Sequence, residues 1–348
     1  MPDLIAQLDE QKRKVDFDSF DITVKELVAM VNESLIDIAP EYQRQFRWGP
    51  ENQSTFIESV LLGIPIPSLF MAANADGTWE LIDGVQRLST LVHFVGDEKL
   101  RKRLGMGEAL MITELTKLSE FNGCTFERLP RSVQLQFSLK PVKVTTISDK
   151  SDLQVRFDLF ERLNTGGVLL TAQEIRACLY RGEFSDFLRE LSIDRTFKRL
   201  VRLPKERESD GTREELVLRF FAFYYRYKQF EHSVVEFLNG YMADASKQFD
   251  YRAGRALFSR VFSALESALP HGIVRERVKS RTPVNLFEAV AVGAALALDV
   301  SESLKVRGVE KWMNSDELKS LTTGATNSRA MVRSRLEYCR DRFLGKNA

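Results

Sequence analysis

The chain is short of the residues that metal sites and disulfide scaffolds need, with Cys 3 and His 3 in 348 residues. Cys124, Cys178 and Cys339 are odd in number, far apart and form no C-x-x-C pair. They read as reduced thiols of a cytoplasmic protein, used as small buried apolar side chains. A secretory signal is missing too, because the polar stretch from Met1 to Lys14 has no apolar centre. The longest apolar run, Ala289 to Leu298, is about half of what a bilayer requires, so we expect no membrane partner. With Gly 19, Pro 10, 44% hydrophobic and 28% charged residues, collagen-like and disordered classes are excluded. No internal repeat or low-complexity tract is present. The length suits two domains.

Net charge is nearly absent, at +1. That balance argues against a polyanion-binding arm, but it conceals an asymmetry. Residues 1–180 hold 20 basic and 26 acidic side chains, and residues 181–348 hold 30 and 23. The basic second half leaves nucleic acid open as a partner.

What is present changes character along the chain. Up to about Tyr180, helix and strand signals alternate. The spacing predicts a helix over Asn52 to Leu62, ended by Pro65 and Pro67. A strand follows over Ile66 to Ala72, paired as a hairpin with Trp79 to Ile82 across Asp76-Gly77. A helix carrying Leu88, Leu91, Val92 and Val95 comes after Asp83-Gly84, and Pro141 to Ile147 forms a third strand. Ser151-x-x-Gln154 and Thr171-x-x-Glu174 are capping boxes that open further helices. Beyond Glu183 the pattern is helical, over Glu214 to Tyr227, Val234 to Phe249, Arg252 to Leu269, Val284 to Asp299 and Ser328 to Phe343. The expected fold class is α+β, with a small mixed sheet in residues 1–182 and an all-helical domain in 183–348.

Three segments carry chemistry. In Ile82-Asp83-Gly84-Val85-Gln86-Arg87, a strand turns sharply into a helix whose first N–H groups favour an anion. Gly84 admits a ligand close to the backbone, Arg87 can grip a phosphate, and Ser89 and Thr90 add hydroxyls. The plainer reading has Asp83 capping the helix and pairing with Arg87. In Tyr42-Gln43-Arg44-Gln45-Phe46-Arg47-Trp48, Arg44 and Arg47 suit a phosphate-gripping loop. Alternatively, Phe46 and Trp48 anchor the loop while the arginines are solvated. In Asn164-Thr165-Gly166-Gly167, the turn offers backbone N–H groups as an anion nest. Arg176, further on, has the bland role of pairing with a carboxylate.

Together with Glu58 to Pro67 and Phe160 to Gly167, these motifs resemble the N-terminal domain of GmrSD-type restriction endonucleases, in order and in spacing over roughly residues 15–180. The tail from Thr323 to Arg329 is similar to that family's helical end. The resemblance implies a ParB/sulfiredoxin-like core whose Asp-Gly-x-Gln-Arg turn binds nucleotide phosphates. It implies Asp83, Gln86 and Arg87 as catalytic residues, with Gly84, Arg44, Arg47, Ser89, Thr90, Asn164, Thr165 and Gly166 around the nucleotide. It also implies a nucleoside triphosphate with Mg²⁺ held at Asp83. Val85 stands where glutamine is commoner, which weighs against hydrolysis more than against binding. The HNH nuclease of well-known relatives needs a histidine among close metal ligands. His93, His232 and His271 are each isolated, so a cutting subunit is expected to be a separate protein.

The helical half offers binding candidates. Arg199, Arg202 and Lys205 lie in a basic run around Pro204, and Arg329 and Arg333 lie on the last helix; each set is either a solvated face or a nucleic-acid contact. The aromatic helix with Phe220, Phe221, Phe223, Tyr224, Tyr225 and Tyr227 reads as buried and central, with a base-stacking platform as the other reading. The expectation is a nucleotide-binding, NTP-hydrolysing component of a restriction or antiphage system, working with DNA or a separate nuclease. The alternative is a binding module that has kept the fold and lost turnover.

Overall fold

The computed structural model describes residues 4–5, 16–38, 48–74, 76–148, 157, 162, 171–208, 210–324 and 326–346. It divides into two compact units, residues 1–169 and 170–348, each built around its own apolar core. The expected α+β class holds, with a small mixed sheet first and helices after it.

In the first unit, β1 (Phe17–Thr23), β2 (Ile36–Asp37), β3 (Leu69–Ala73), β4 (Trp79–Asp83) and β5 (Pro141–Ile147) form one sheet in the order β1-β5-β3-β4-β2. The β1/β5 and β3/β4 pairs are antiparallel, and β5/β3 and β2/β4 are parallel. Helices α1 (Val24–Asn32), α2 (Pro50–Leu62), α3 (Val85–Val95), α4 (Glu98–Arg103) and α5 (Arg131–Ser138) accompany it. Leu27, Ile57, Leu88, Leu91 and Phe137 pack with Leu69, Met71, Leu81 and Val144 from the sheet.

The helix expected over Val234 to Phe249 ends at Ala245, and two other expected boundaries shift for physical reasons. Helix α2 begins at Pro50, whose missing N–H costs nothing at the first helical position. Strand β3 starts at Leu69 rather than Ile66. Pro65 and Pro67 have no N–H for a ladder, and the Pro67 and Ser68 carbonyls accept from Arg87 instead. Strand β1, with no buried alternation to mark it, is an addition to the expected set.

The second unit holds α6 (Ala172–Leu179), α7 (Glu183–Ser192), α8 (Arg195–Leu200), α9 (Thr212–Arg226), α10 (Val234–Ala245), α11 (Tyr251–Ala268), α12 (Val284–Leu298), α13 (Val309–Met313), α14 (Asp316–Thr322) and α15 (Arg329–Phe343). The apolar run from Ala289 to Leu298 lies in α12, which is buried on nearly every side. Gly293 lets α15 come close, since a Cβ there would sit 2.5 Å from Cys339 Cβ. Burial pushes the Cys339 thiol well above the usual range, so it stays protonated. Among the described residues, no helix is long and apolar enough to cross a membrane.

A ladder of buried charges runs through this unit. Arg176 on α6 meets Glu215 on α9 at 2.5 Å, and Arg219 bridges Glu215 at 2.7 Å and Glu288 on α12 at 2.6 Å. Glu288 also accepts from Arg335 on α15, which donates at 2.6 Å to the Thr326 carbonyl. Thus Arg176 pairs with a carboxylate, and Arg335 is a core residue rather than part of a basic surface. Burial lowers the Arg176 guanidinium to about 10, while Glu215 raises it.

Glu288→Gln leaves Arg335 buried without its counter-charge, and such removals cost about 3–5 kcal/mol. Urea denaturation followed by circular dichroism should show a loss of that size with an unchanged m-value; a loss under about 1 kcal/mol would mean that the ladder is solvated.

Candidate functional site

The site is built where β4 ends and α3 begins. Gly84 joins them with φ +103°, a left-handed conformation that L side chains rarely adopt. A Cβ at that position would also collide with Leu69 Cδ2 on β3. Only glycine therefore allows this turn, and it leaves the first turn of α3 with no side-chain cap. Asp83 does not cap the helix.

Instead Asp83 pairs with Arg87, Oδ2 to the guanidinium at 2.5 Å. The other guanidinium nitrogen donates to the Pro67 carbonyl at 2.5 Å and to the Ser68 carbonyl at 2.9 Å. The Arg87 side chain is 12% exposed and that of Asp83 is 37% exposed. One side of a half-open turn is thus lined by a carboxylate, a fixed cation and uncapped helix N–H groups, a combination that suits a phosphate carrying a divalent cation. Val85 is partly buried against the first core.

The remaining candidates separate. Ser89 and Thr90 are buried, and the Thr90 hydroxyl donates to the Gln86 carbonyl at 2.7 Å. Arg44, Arg47, Asn164, Thr165 and Gly166 lie outside the described residues, as does the Ser151-x-x-Gln154 box. The Thr171–Glu174 capping box forms with both of its hydrogen bonds.

A set of contacts with no sequence signal fixes the approach to the turn. Gln86 Oε1 accepts from the Trp48 backbone N–H at 3.1 Å, and Gln53 Nε2 donates to the Trp48 carbonyl at 2.8 Å. Gln53 Oε1 lies 2.8 Å from His93 Nδ1, and His93 Nε2 lies 2.7 Å from the Glu108 carbonyl. The Trp48 ring packs on Phe56 with centroids 5.7 Å apart, so this tryptophan does anchor its segment to the core. His93 is packed on α3, with its imidazole bridging two segments.

Residues 24–181 match the GmrSD restriction endonuclease, N-terminal domain family. This segment belongs to that family. Neither a curated protein nor a solved structure matches the chain. The match gives residues 24–181 the domain type of a restriction-system component. The GmrSD N-terminal segment contains the β4–Gly84–α3 turn and the residues that anchor Trp48, and it ends within the second unit, past α6.

The basic candidates of the second unit are dispersed in their pairing. Arg199 meets Glu266 at 2.7 Å and Arg333 meets Glu337 at 2.9 Å. Arg202 donates to the Lys279 carbonyl at 3.2 Å and Arg329 to the Lys228 carbonyl at 3.2 Å, while Lys205 is exposed. Among the described residues, no three His, Cys, Asp or Glu side chains gather as a metal cluster.

Burial lowers the His93 pKa below its ordinary 6.5, helped by the Arg101 charge and opposed by the Glu108 carbonyl. The unfolded chain therefore takes up this proton first as the pH falls. Stability should drop as pH passes down through roughly 6.5 and level off once the folded ring is charged. Thermal melts of wild type and His93→Gln across that window should show the steeper loss in wild type. Parallel curves would remove His93 from the pH dependence.

Proposed function

We propose that the GmrSD N-terminal segment binds a nucleoside triphosphate at the β4–Gly84–α3 turn and hydrolyses it, as the nucleotide-dependent part of a restriction system. The observation that carries this reading is the glycine-built turn, where an uncapped helix start, Asp83 and Arg87 converge. Phosphate oxygens would accept from the first-turn N–H groups, and Arg87 would offset their charge from a position already fixed by the Pro67 and Ser68 carbonyls. Among the described residues no cation pairs with Asp83 Oδ1, since Arg87 takes Oδ2, and one carboxylate is enough for Mg²⁺ when phosphates supply other ligands. The metal would neutralise phosphate charge. Gln86 holds the Trp48 amide, and Arg47 and Arg44 are one and four residues before Trp48 in the sequence, so they are the further arginines we assign to phosphate binding.

A second reading, a binding module without turnover, draws on a specific observation. Arg87 is already satisfied by a carboxylate and two carbonyls, and Val85 contributes an apolar side chain where the family more often has a polar one. Incubation of the full chain with each of the four triphosphates and Mg²⁺, assayed for released phosphate, separates the two. Hydrolysis is expected, with at least a hundredfold loss in Arg87→Lys and Asp83→Asn; Arg87→Lys keeps a cation and guards against misfolding. Turnover unchanged in a folded Arg87→Lys protein overturns the site, and binding without phosphate release selects the module.

The basic second unit is the part we assign to DNA, through Arg199, Arg202, Lys205, Arg329 and Arg333. Mobility shifts on duplex DNA should weaken as salt rises, because each phosphate contact releases counterions. Arg202→Ala with Lys205→Ala should reduce that slope by about one to two contacts. A salt-independent affinity would exclude the assignment, leaving a separately encoded nuclease as the partner.

A further inference from the structure

The aromatic helix of the second unit is buried as expected at Phe220, Phe221 and Phe223, but Tyr225 is 48% exposed. It opens onto a cavity of about 630 Å³ at the C-terminal ends of α9 and α10. That volume is within the range of small-ligand sites, roughly 300–1,000 Å³. Three rings shape it. The Tyr225 and Tyr241 planes lie within 15° of each other with centroids 6.4 Å apart, and Phe249 stands at 89° to Tyr225. The Arg226 guanidinium lies over the Tyr241 ring, 5.3 Å from its centroid. These are flat, rigid faces, and their π-surfaces suit another flat ring.

The polar groups of the cavity are sorted in a way that indicates the ligand. Its two carboxylates are engaged: Asp244 Oδ2 accepts from Arg226 at 2.7 Å, and Asp250 Oδ1 accepts the Ala253 N–H at 2.9 Å, capping α11. Gln229 and Gln248 line the same cavity, and their carboxamides make no hydrogen bond to another described residue. Each carboxamide has two donors and an acceptor, the combination that reads the edge of a base. Lys247 is the cation on the rim with no acidic partner among the described residues.

We propose that this cavity binds a nucleobase carried on a phosphate-bearing strand or nucleotide, stacked on Tyr225 and hydrogen-bonded by Gln229 and Gln248, with Lys247 toward the phosphate. It is a site separate in sequence from the Asp83 to Arg87 turn, and its occupancy does not depend on triphosphate hydrolysis.

The full-length protein is titrated into two probes, a single-stranded 12-mer with a central 2-aminopurine and 2-aminopurine riboside 5′-monophosphate. Stacking on tyrosine should quench the fluorescent base. Tyr225→Ala should weaken binding at least fivefold, since it removes a base–aromatic stack, and Tyr225→Phe should retain both quench and affinity. Gln248→Ala, at an exposed position that does not threaten folding, should also weaken it. Quenching of the 12-mer alone identifies a strand as the source, and equal quenching of the mononucleotide identifies a free nucleotide. Arg87→Lys should leave the quench intact, which keeps this test distinct from that of the triphosphate site. No quench of either probe overturns the proposal. So does a quench that survives both Tyr225→Ala and Gln248→Ala, or one lost only in Arg87→Lys.

Discussion

Arg87 donates from one nitrogen to the Pro67 and Ser68 carbonyls and from the other to Asp83, so a single guanidinium holds the entry to β3, the end of β4 and the first turn of α3. This is possible because Gly84 turns the chain with a positive φ where any Cβ would strike Leu69. The two constraints are interdependent. Without the glycine, α3 could not start directly after Asp83, and the i, i+4 spacing of Asp83 and Arg87 would not close. Without Arg87, two carbonyls between Pro65 and β3 would lose their donors in a part-buried place. The geometry that builds the turn is also the geometry that presents charge around it.

In the second unit the organising feature is the ladder from Arg176 through Glu215, Arg219 and Glu288 to Arg335. Taking guanidinium and carboxylate groups out of water is costly, and mutual pairing compensates only where each charge has several partners. Here each does. Arg176 adds Gln173 at 3.0 Å and Asn239 at 3.2 Å, and Arg335 adds the Thr326 carbonyl at 2.6 Å. The ladder thereby ties α6, the last helix of the GmrSD N-terminal segment, to α9, α12 and α15 of the same unit. It also holds the Thr326 backbone just ahead of α15.

The charge asymmetry of the sequence takes a different meaning once partners are known. In the acidic half, the phosphate site we propose relies on local groups, Arg87 and a helix start, rather than on a basic surface. In the basic half, part of the excess is internal. Arg176 and Arg335 are buried, and Arg213 donates to the Val201 carbonyl at 2.8 Å. Others, such as Arg199 and Arg333, are paired with glutamates at the surface. What remains outward-facing is narrower than the count of basic residues suggests.

Much of this was legible in the residues. The hairpin, the strand over Pro141–Ile147, the Asp-Gly break before α3, the Thr171–Glu174 box and the five long helices all follow from short-range rules of turn chemistry, capping and period. The motif itself was legible too, because strand, glycine and helix lie next to one another in the chain. Partner choice was not. Arg335 meets Glu288 across 47 residues, Trp48 meets Gln86 across 38 and His93 meets Gln53 across 40. Nothing in the spacing distinguishes Arg335 from Arg333, two positions away, or Tyr225 from Phe221, one turn back. The sequence by itself determined where chain direction and period change. Only the tertiary structure decided which arginine is internal and which ring faces a cavity, because burial is set by elements that arrive from far along the chain.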